Sequence, residues 1–334
     1  MTRQRIGVMS MAHLHALGYI GLLNERADVE LVVTDPDAGE RPPGESGGRE
    51  LAERLGVRHY VDSYEELLDR SPDGVVICSE NSRHRALTEL AAAAGAHVLC
   101  EKPMATTVAD GEAMVAACAA AGVHLMVAYP VRFSRQFRAL RAAAANLGRV
   151  VAVTGTNNGK MPSARAWFAD PVLAGGGAVM DHTVHLADLL DVLLDGAEAE
   201  SVHAVANRIV HETAAVETGG LVSLRYPGGV VATFDCSWSV PESYPTWGGL
   251  TMRLTGDGGI ADMDAFGQAV HGFRESTRAP LRVEYGTGGD AAMLEEFLSA
   301  IRDGRLPQPD GESGLRSLRV VERAYESVRT GEPA

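Results

Sequence analysis

Short apolar runs alternate with helix-forming stretches along roughly the first 125 residues, the pattern of strand and helix in turn. The runs "RIGVM", "VELVVTDP", "RHYV", "DGVVICSE", "AHVLCEKP" and "VHLMVAY" read as strands. Between them, His13 to Asn24, "GGRELAERLG", "SYEELLDR", "SRHRALTELAAAAG" and "TVADGEAMVAACAAAG" read as helices. The strands are apolar without alternation, so both faces of their sheet must be covered, which predicts a parallel sheet between layers of helices. The segment "DAGERPPGESGG" is polar and rich in Gly and Pro, and is expected to be a mobile loop.

After Tyr129 the rhythm changes. A helix is expected from Ser134 to Leu147, then a strand at "RVVAVTGTNNG", a turn at "AGGG" and a helix from about Asp181 to Leu194. From Ser201 to Gly288 the runs "ESVHAVANRIV", "TGGLVSLRY", "VVATFDCSWSV", "GGLTMRLTGDGG" and "PLRVEYG" alternate and are separated by turn residues, as antiparallel strands are. A last helical region, Asp290 to Arg329, is broken near "GRLPQPDG". The expected fold class is α/β: a Rossmann-type parallel sheet over residues 1–127, and an α+β domain with a large, mostly antiparallel open sheet over 128–334.

Composition narrows the function. A chain of 334 residues that is 46% hydrophobic suits two domains. Thirty basic against 44 acidic residues give a net charge of −14, which disfavours nucleic acid and anionic membrane as partners. No apolar run is long enough to span a bilayer, and the start lacks signal-peptide anatomy. Cys78, Cys100, Cys118 and Cys236 form no C-x-x-C pair, so neither a zinc ribbon nor a disulfide framework is expected. These features predict a cytoplasmic protein without a resident metal.

Candidate chemistry begins at the first turn, "MSMAHLHALGYI". A dinucleotide turn between strand and helix usually reads G-x-G-x-x-G/A. The three places are here Ser10, Ala12 and His15, with no glycine. Ser10 and Ala12 are small enough for close approach to a pyrophosphate if their φ angles are negative, and Ser10 adds a hydroxyl donor. An ordinary strand–helix turn stays open as the alternative. The second strand ends at Asp35, near where an acid would bind the adenosine ribose hydroxyls and repel a 2′-phosphate, which favours NAD over NADP. A solvated acid after a strand is the plainer reading.

Two later motifs carry a resemblance. "GAHVLCEKPMA", with Glu101, Lys102 and Pro103, and "AGGGAVMDHTVHLAD", Ala174 to Asp188, resemble the E-K-P and GGG-x-x-x-D-x-x-x-H-x-x-D signatures of the Gfo/Idh/MocA family of sugar and inositol oxidoreductases. "CSENSRHRALTELAAAAGAHVLCEKP" is similar to that family's cofactor-lining segment, and "VAYPVRF" to its link between domains. Two departures stand out: the glycine turn has become Ser10-Met11-Ala12-His13, and Glu80 replaces the usual Pro before Asn81. The resemblance implies hydride transfer between nicotinamide and a carbinol carbon. The expected cofactor set is Ser10, Ala12, His13, His15, Asp35, Ser79, Asn81, His84, Glu101, Lys102 and Arg132.

Lys102 ends a strand where open parallel sheets place their ligands, so its ammonium can bond the reacting oxygen. Asp181 and His185 are four apart on a helix and share one face, which suits a proton relay; either His185 or Lys102 can be the main proton-transfer group. Asp181, His182 and His185 as metal ligands is disfavoured, because adjacent helical side chains diverge by about 100°. His182 is expected to face substrate or the helix flank. His13 and His15 either cap or pack the first helix, or His15 reaches the pyrophosphate or ring edge. Asn157, Lys160, Arg132 and Trp167 are candidate substrate contacts, with Trp167 equally readable as core, and Asp188 is expected to support the helix. The resemblance also implies a homodimer or homotetramer through the C-terminal sheet. Two other readings remain: redox-neutral use of bound NAD in glycoside cleavage or epimerisation, and a non-catalytic nucleotide or metabolite sensor.

Overall fold

The computed structural model describes residues 3–244, 246–267, 269–274, 279–284 and 288–334. The chain divides into two compact units, and the first is discontinuous: residues 1–129, 162–175 and 290–318. The second comprises 130–161, 176–289 and 319–334. The first boundary lies two residues beyond the expected one. Two segments of the expected C-terminal domain return to the first unit.

In the first unit the elements are β1 (Gln4–Met9), α1 (His15–Asn24), β2 (Val29–Thr34), α2 (Gly48–Arg54), β3 (His59–Val61), α3 (Tyr64–Leu68), β4 (Gly74–Ile77), α4 (His84–Ala93), β5 (His97–Cys100), α5 (Val108–Ala121) and β6 (Leu125–Val127). The strands form one parallel sheet in the order β3-β2-β1-β4-β5-β6. The order reverses beside β1, so the carboxyl ends of β1 and β4 flank the switch point where such sheets bind ligands. Ile6, Val8, Val75, Val76, Val98 and Leu99 are fully or almost fully buried, as strands covered on both faces must be. Thr107 caps α5 by accepting from Asp110 N, and Gly122 ends it in the left-handed conformation (φ 68°).

The chain continues with α6 (Arg135–Ala144), β7 (Val150–Gly159), α7 (Pro171–Ala174), α8 (Ala178–Leu193), β8 (Ser201–Asn207), β9 (Gly219–Arg225), β10 (Val231–Ser237), β11 (Gly248–Gly256), β12 (Gly259–Asp264), β13 (Ala269–Arg274), β14 (Ala279–Glu284), α9 (Gly289–Asp303) and α10 (Gly311–Thr330). The second unit's main sheet has the order β12-β11-β7-β10-β9-β8. Its central pair, β7 and β10, is parallel and the other pairs are antiparallel, so the sheet is mostly antiparallel as expected. Parallel pairing follows because β7 and β10 are far apart in sequence and α8 intervenes between them. β13 and β14 form a separate hairpin. Tyr285 and Gly286 of the expected strand "PLRVEYG" lie outside the described residues.

One face of this sheet packs on α8. Ala232, Phe234 and Cys236 of β10 are buried, while Val231 and Thr233 point the other way. Gly155 of β7 admits the helix: a Cβ there would lie 2.8 Å from Leu186 Cδ2. In the first unit, Gly74 of β4 similarly makes room for Phe297 of α9. Among the described residues no helix is long and apolar enough to cross a membrane, and all four cysteines are buried thiols.

The alternation on β10 sets a contrast. Phe234→Ala should lower unfolding free energy by about 3–5 kcal/mol, the cost of emptying a core site. Val231→Ala, on the opposite face, should cost under about 0.5 kcal/mol. Urea unfolding of both variants tests the face assignment, and equal losses would refute it.

Candidate functional site

The turn between β1 and α1 keeps the shape of a glycine turn without the glycine. Ser10 has φ 73°, the left-handed region that glycine favours. The condition of a negative φ is therefore not met at Ser10. Its side chain offsets the strain: Oγ accepts from Ala12 N (3.2 Å) and donates to Asp35 Oδ1 (3.2 Å). The turn's N–H groups are used within the unit. Met11 N donates to Asp35 Oδ1 (2.9 Å), His13 N to Cys78 O (2.8 Å) and His15 N to His13 Nδ1 (3.2 Å).

Asp35 is the second correction. Its side chain is fully buried, and it also accepts Arg41 Nη1 (2.8 Å), Arg41 Nη2 (2.5 Å) and Gly48 N (2.8 Å). With two bonds from the turn, five bonds meet on two oxygens that offer about four lone pairs. Burial alone would raise this carboxyl, but the Arg41 bonds and charge, with the backbone donors, hold it below its ordinary range. Asp35 is therefore not the solvated acid of the plainer reading.

Arg41 belongs to the loop expected to be mobile. The loop is tied down instead: Arg41 is buried on Asp35, and Glu45 Oε1 accepts from Ala166 N (2.7 Å). The segment 162–175 packs on the turn from the other side. Arg165 donates to Ala12 O (3.0 Å), Met11 O (3.3 Å) and Ser46 O (2.9 Å), and Trp167 Nε1 donates to Ala12 O (3.1 Å). Trp167 is buried, stacked on Phe168 at 3.9 Å. Of its two expected readings, burial agrees with the core residue, and its indole bonds the turn between β1 and α1.

At the neighbouring strand ends, His84 is wholly buried between Pro103 O (Nδ1, 3.0 Å) and Ser79 O (Nε2, 3.3 Å), and burial pushes its pKa down. It ties the end of β4 to the Lys102-Pro103 segment. Asn81 is also turned inward, its Nδ2 donating to Ala174 O (2.9 Å), and Ser79 Oγ donates to Glu80 O (3.1 Å). Glu101, fully buried after β5, binds His15 Nδ1 (3.0 Å) and accepts from Lys102 N (3.1 Å), with His13 Nε2 4.0 Å away. Burial alone would raise this carboxyl. The charges of His13 and His15, the His15 bond and the Lys102 charge override burial and hold it well below the carboxylate range. His15 is raised in return: burial lowers it, but Glu101 wins. Lys102 itself is 4% exposed.

His13, His15 and Glu101 bring three ligand atoms within 4.8 Å of one another. His13 Nδ1 accepts from His15 N–H, and His15 Nδ1 is bonded to Glu101 Oε1.

The residues of this edge fit a dinucleotide. Arg41 Nε, Glu80 Oε2 and Asn81 Oδ1 are buried with no hydrogen-bond partner among the described residues, and they lie in the loops that follow β2 and β4. Buried polar atoms of this kind are rare without a ligand or water to meet them.

In the second unit, α8 carries Asp181, His182 and His185. The helix begins at Ala178, three residues before the expected start, because distant groups satisfy its first N–H groups. Glu217 Oε1 accepts from Gly177 N (2.9 Å) and Val179 N (3.0 Å), and Tyr325 Oη from Met180 N (3.2 Å). The glycines of "AGGG" give room for this: a Cβ on Gly176 would fall 1.9 Å from Tyr325 Oη, and one on Gly177 1.9 Å from Glu217 O. Asp181 Oδ2 accepts from Trp238 Nε1 (3.2 Å) and lies 3.3 Å from His182 Nε2. His182 and Asn157 are both buried and bonded to each other: His182 Nδ1 to Asn157 O (2.7 Å) and Asn157 Nδ2 to His182 O (3.3 Å). The partly exposed indole of Trp247 stands edge-on to His182 at 5.4 Å. His185 follows Asp181 by one helical turn.

Two further candidate residues have partners within the second unit. Arg132 is held by Asp188 Oδ1 (2.5 Å) and Asp191 Oδ2 (3.4 Å) and so anchors α8. Lys160 Nζ donates to Glu242 O (2.7 Å). Arg41, Arg165, Glu217, Trp238, Trp247 and Tyr325 contact the candidate residues and their turns without having been singled out in the sequence; only their contacts reveal them.

A doubly wound sheet with buried polar groups at its switch point, followed by an open mixed sheet, defines a two-domain oxidoreductase of the Rossmann class. The chain belongs to the Gfo/Idh/MocA family: the model described as "Oxidoreductase family, NAD-binding Rossmann fold" matches residues 42–129, and that of the GFO/IDH/MocA C-terminal domain matches 136–262. The first match begins beyond the glycine-free turn and Asp35. The chain is 31% identical over 302 residues to 1,5-anhydro-D-fructose reductase of Ensifer adhaerens, covering 86% of this chain and 87% of the relative. It is 28% identical over 295 residues to myo-inositol 2-dehydrogenase of Thermotoga maritima, covering 84% and 85%. The fold is that of GenD2 from gentamicin A biosynthesis, solved in complex with NAD, with a TM-score of 0.87 at 23% identity over 100% of this chain and 96% of that one.

The Glu101–His15 pair predicts a pH signature. Glu101 is depressed, so its contribution is present above its ordinary 4.5 and lost as pH falls toward the folded value. His15 is raised, so its contribution is present below 6.5 and lost as pH rises through the folded value. Both act between those limits. Glu101→Gln should therefore cost more stability at about pH 6 than at about pH 9. The difference should be on the order of 1 kcal/mol, because water screens the half-exposed imidazole. Thermal melts at both pH values would show it, and a loss independent of pH would refute the pairing.

Proposed function

We propose that this chain is a nicotinamide-dependent dehydrogenase or reductase acting on a CH–OH carbon of a sugar, inositol or related polyol. What carries the reading is Lys102. It is 4% exposed, follows the buried Glu101 and stands at the carboxyl end of β5, the edge of the sheet where open parallel sheets bind their ligands. The family membership and the named activities of its relatives support the substrate class.

When bound, the nicotinamide supplies the two-electron redox chemistry. The protein's own residues handle position and protons. The Lys102 ammonium bonds the reacting oxygen and stabilises negative charge developing on it; in a buried site that attraction is stronger than in water. His185 takes or returns the hydroxyl proton, and Asp181, held by the Trp238 indole, stabilises the imidazolium and bonds a neighbouring hydroxyl. Glu101 and His84 fix the backbone on which Lys102 stands.

The test is a polyol and sugar panel with oxidised NAD and NADP, followed by nicotinamide absorbance. Lys102→Ala should lower kcat/KM by about 10²–10⁴-fold while nucleotide binding persists. Unchanged turnover in that variant would remove Lys102 from the chemistry. Nucleotide binding without turnover across the panel would favour the sensor.

We also infer a homo-oligomer through the outer face of the second unit's sheet. Val205 and Leu221 stand opposite each other across β8 and β9, 54% and 56% exposed. Light scattering should give a multiple of the chain mass, reduced by Leu221→Lys; a monomeric wild type would overturn the inference.

A further inference from the structure

We propose that Arg41 sets the choice between the two nicotinamide dinucleotides, and that by occupying Asp35 it admits the 2′-phosphate of NADP(H) as well as NAD(H). The inference rests on the nicotinamide-dependent reading above. An acid at the end of the second strand selects NAD in two ways: it accepts the ribose hydroxyls, and its charge repels a 2′-phosphate. Neither way is open to Asp35. Its two oxygens already take bonds from Ser10 Oγ, Met11 N, Gly48 N and both terminal nitrogens of Arg41. No lone pair is left for a diol.

The charge is cancelled as well. The Arg41 fork is bidentate on Asp35 with only 4% of the side chain exposed, so an approaching phosphate meets a neutral pair rather than a bare carboxylate. The loop is shaped to hold the fork there: a Cβ on Gly47 would lie 2.3 Å from Arg41 Nη1. Arg41 retains a donor for a ligand, since its Nε is buried with no partner among the described residues. Around it stand a second guanidinium, Arg165, with Glu45 3.6 Å from that guanidinium, and the buried carboxylate of Glu80. Two cations face three anions. That balance argues for tolerance of both cofactors, not for strict NADP selection.

The experiment is fluorescence titration of the full-length protein, stripped of nucleotide, with NADH and NADPH. The wild type should bind the two within about tenfold of each other, a gap of about one factor of ten in affinity. Arg41→Ala frees the Asp35 carboxylate and should shift the affinity ratio at least about fivefold toward NADH. A smaller shift overturns the proposal, as does a wild type that prefers NADH by more than tenfold. Arg41→Gln is the second variant, usable if Arg41→Ala does not fold. It removes the positive charge but keeps a donor for the Asp35 carboxylate, and it should shift the ratio the same way, by at least about threefold toward NADH; an unmoved ratio overturns the proposal. Failure of the wild type to bind either nucleotide refutes the dehydrogenase reading itself. Binding with a ratio insensitive to Arg41 refutes only this inference.

Discussion

The buried Asp35 carboxylate is the interaction on which the nucleotide unit's edge depends. It joins the end of β2 to the turn after β1, through Ser10 and Met11, and to the following loop, through Arg41 and Gly48. A buried carboxylate with one donor would be a liability, because the desolvation of a charge exceeds what a single bond returns. With donors from three segments it becomes a hub whose removal would strand a buried guanidinium. It also makes a turn without glycine tolerable. Left-handed Ser10 is strained by about 1–2 kcal/mol, and its two side-chain bonds offset a cost of that size.

The second unit solves a similar problem at α8. A helix N-terminus leaves four N–H groups to be satisfied, and the usual solution is a capping side chain just before the first turn. Three glycines precede α8, so no local cap exists. Glu217 and Tyr325 come from elsewhere in the unit and bond Gly177, Val179 and Met180. Burial raises the Tyr325 hydroxyl far above its ordinary range, and Glu217 adds to the effect, so the hydroxyl keeps its proton and stays a donor to Glu217. A carboxylate at a helix N-terminus also favours the dipole. The first turn that bears Asp181 is thus fixed by groups that do not touch it.

These two solutions explain what was legible in the sequence. The parallel sheet was legible because each of its strands is a short apolar run bounded by helices, and so was the helix on which Asp181 and His185 stand. Residues read by position in a local motif fared worse. Asp35 has the right place for a ribose acid and the wrong neighbours. Trp167 looks like an aromatic wall, yet it donates to Ala12 O in the nucleotide unit because its segment returns there. The parallel pairing of β7 and β10 was hidden because strand direction depends on the path of the chain between them, not on either strand's own pattern.

One consequence follows for reading such turns. The glycines of a dinucleotide turn serve two purposes, an unusual φ and the absence of a side chain near the phosphates. Ser10 separates them. It meets the first by adopting φ 73°. It meets the second by folding its hydroxyl back onto Ala12 N and Asp35, away from the turn's outer surface. Glycine is therefore not required where a small side chain has an internal partner to hold it. The requirement moves from residue 10 to residue 35, and a substitution that removed the Asp35 carboxylate would bring the need for glycine back.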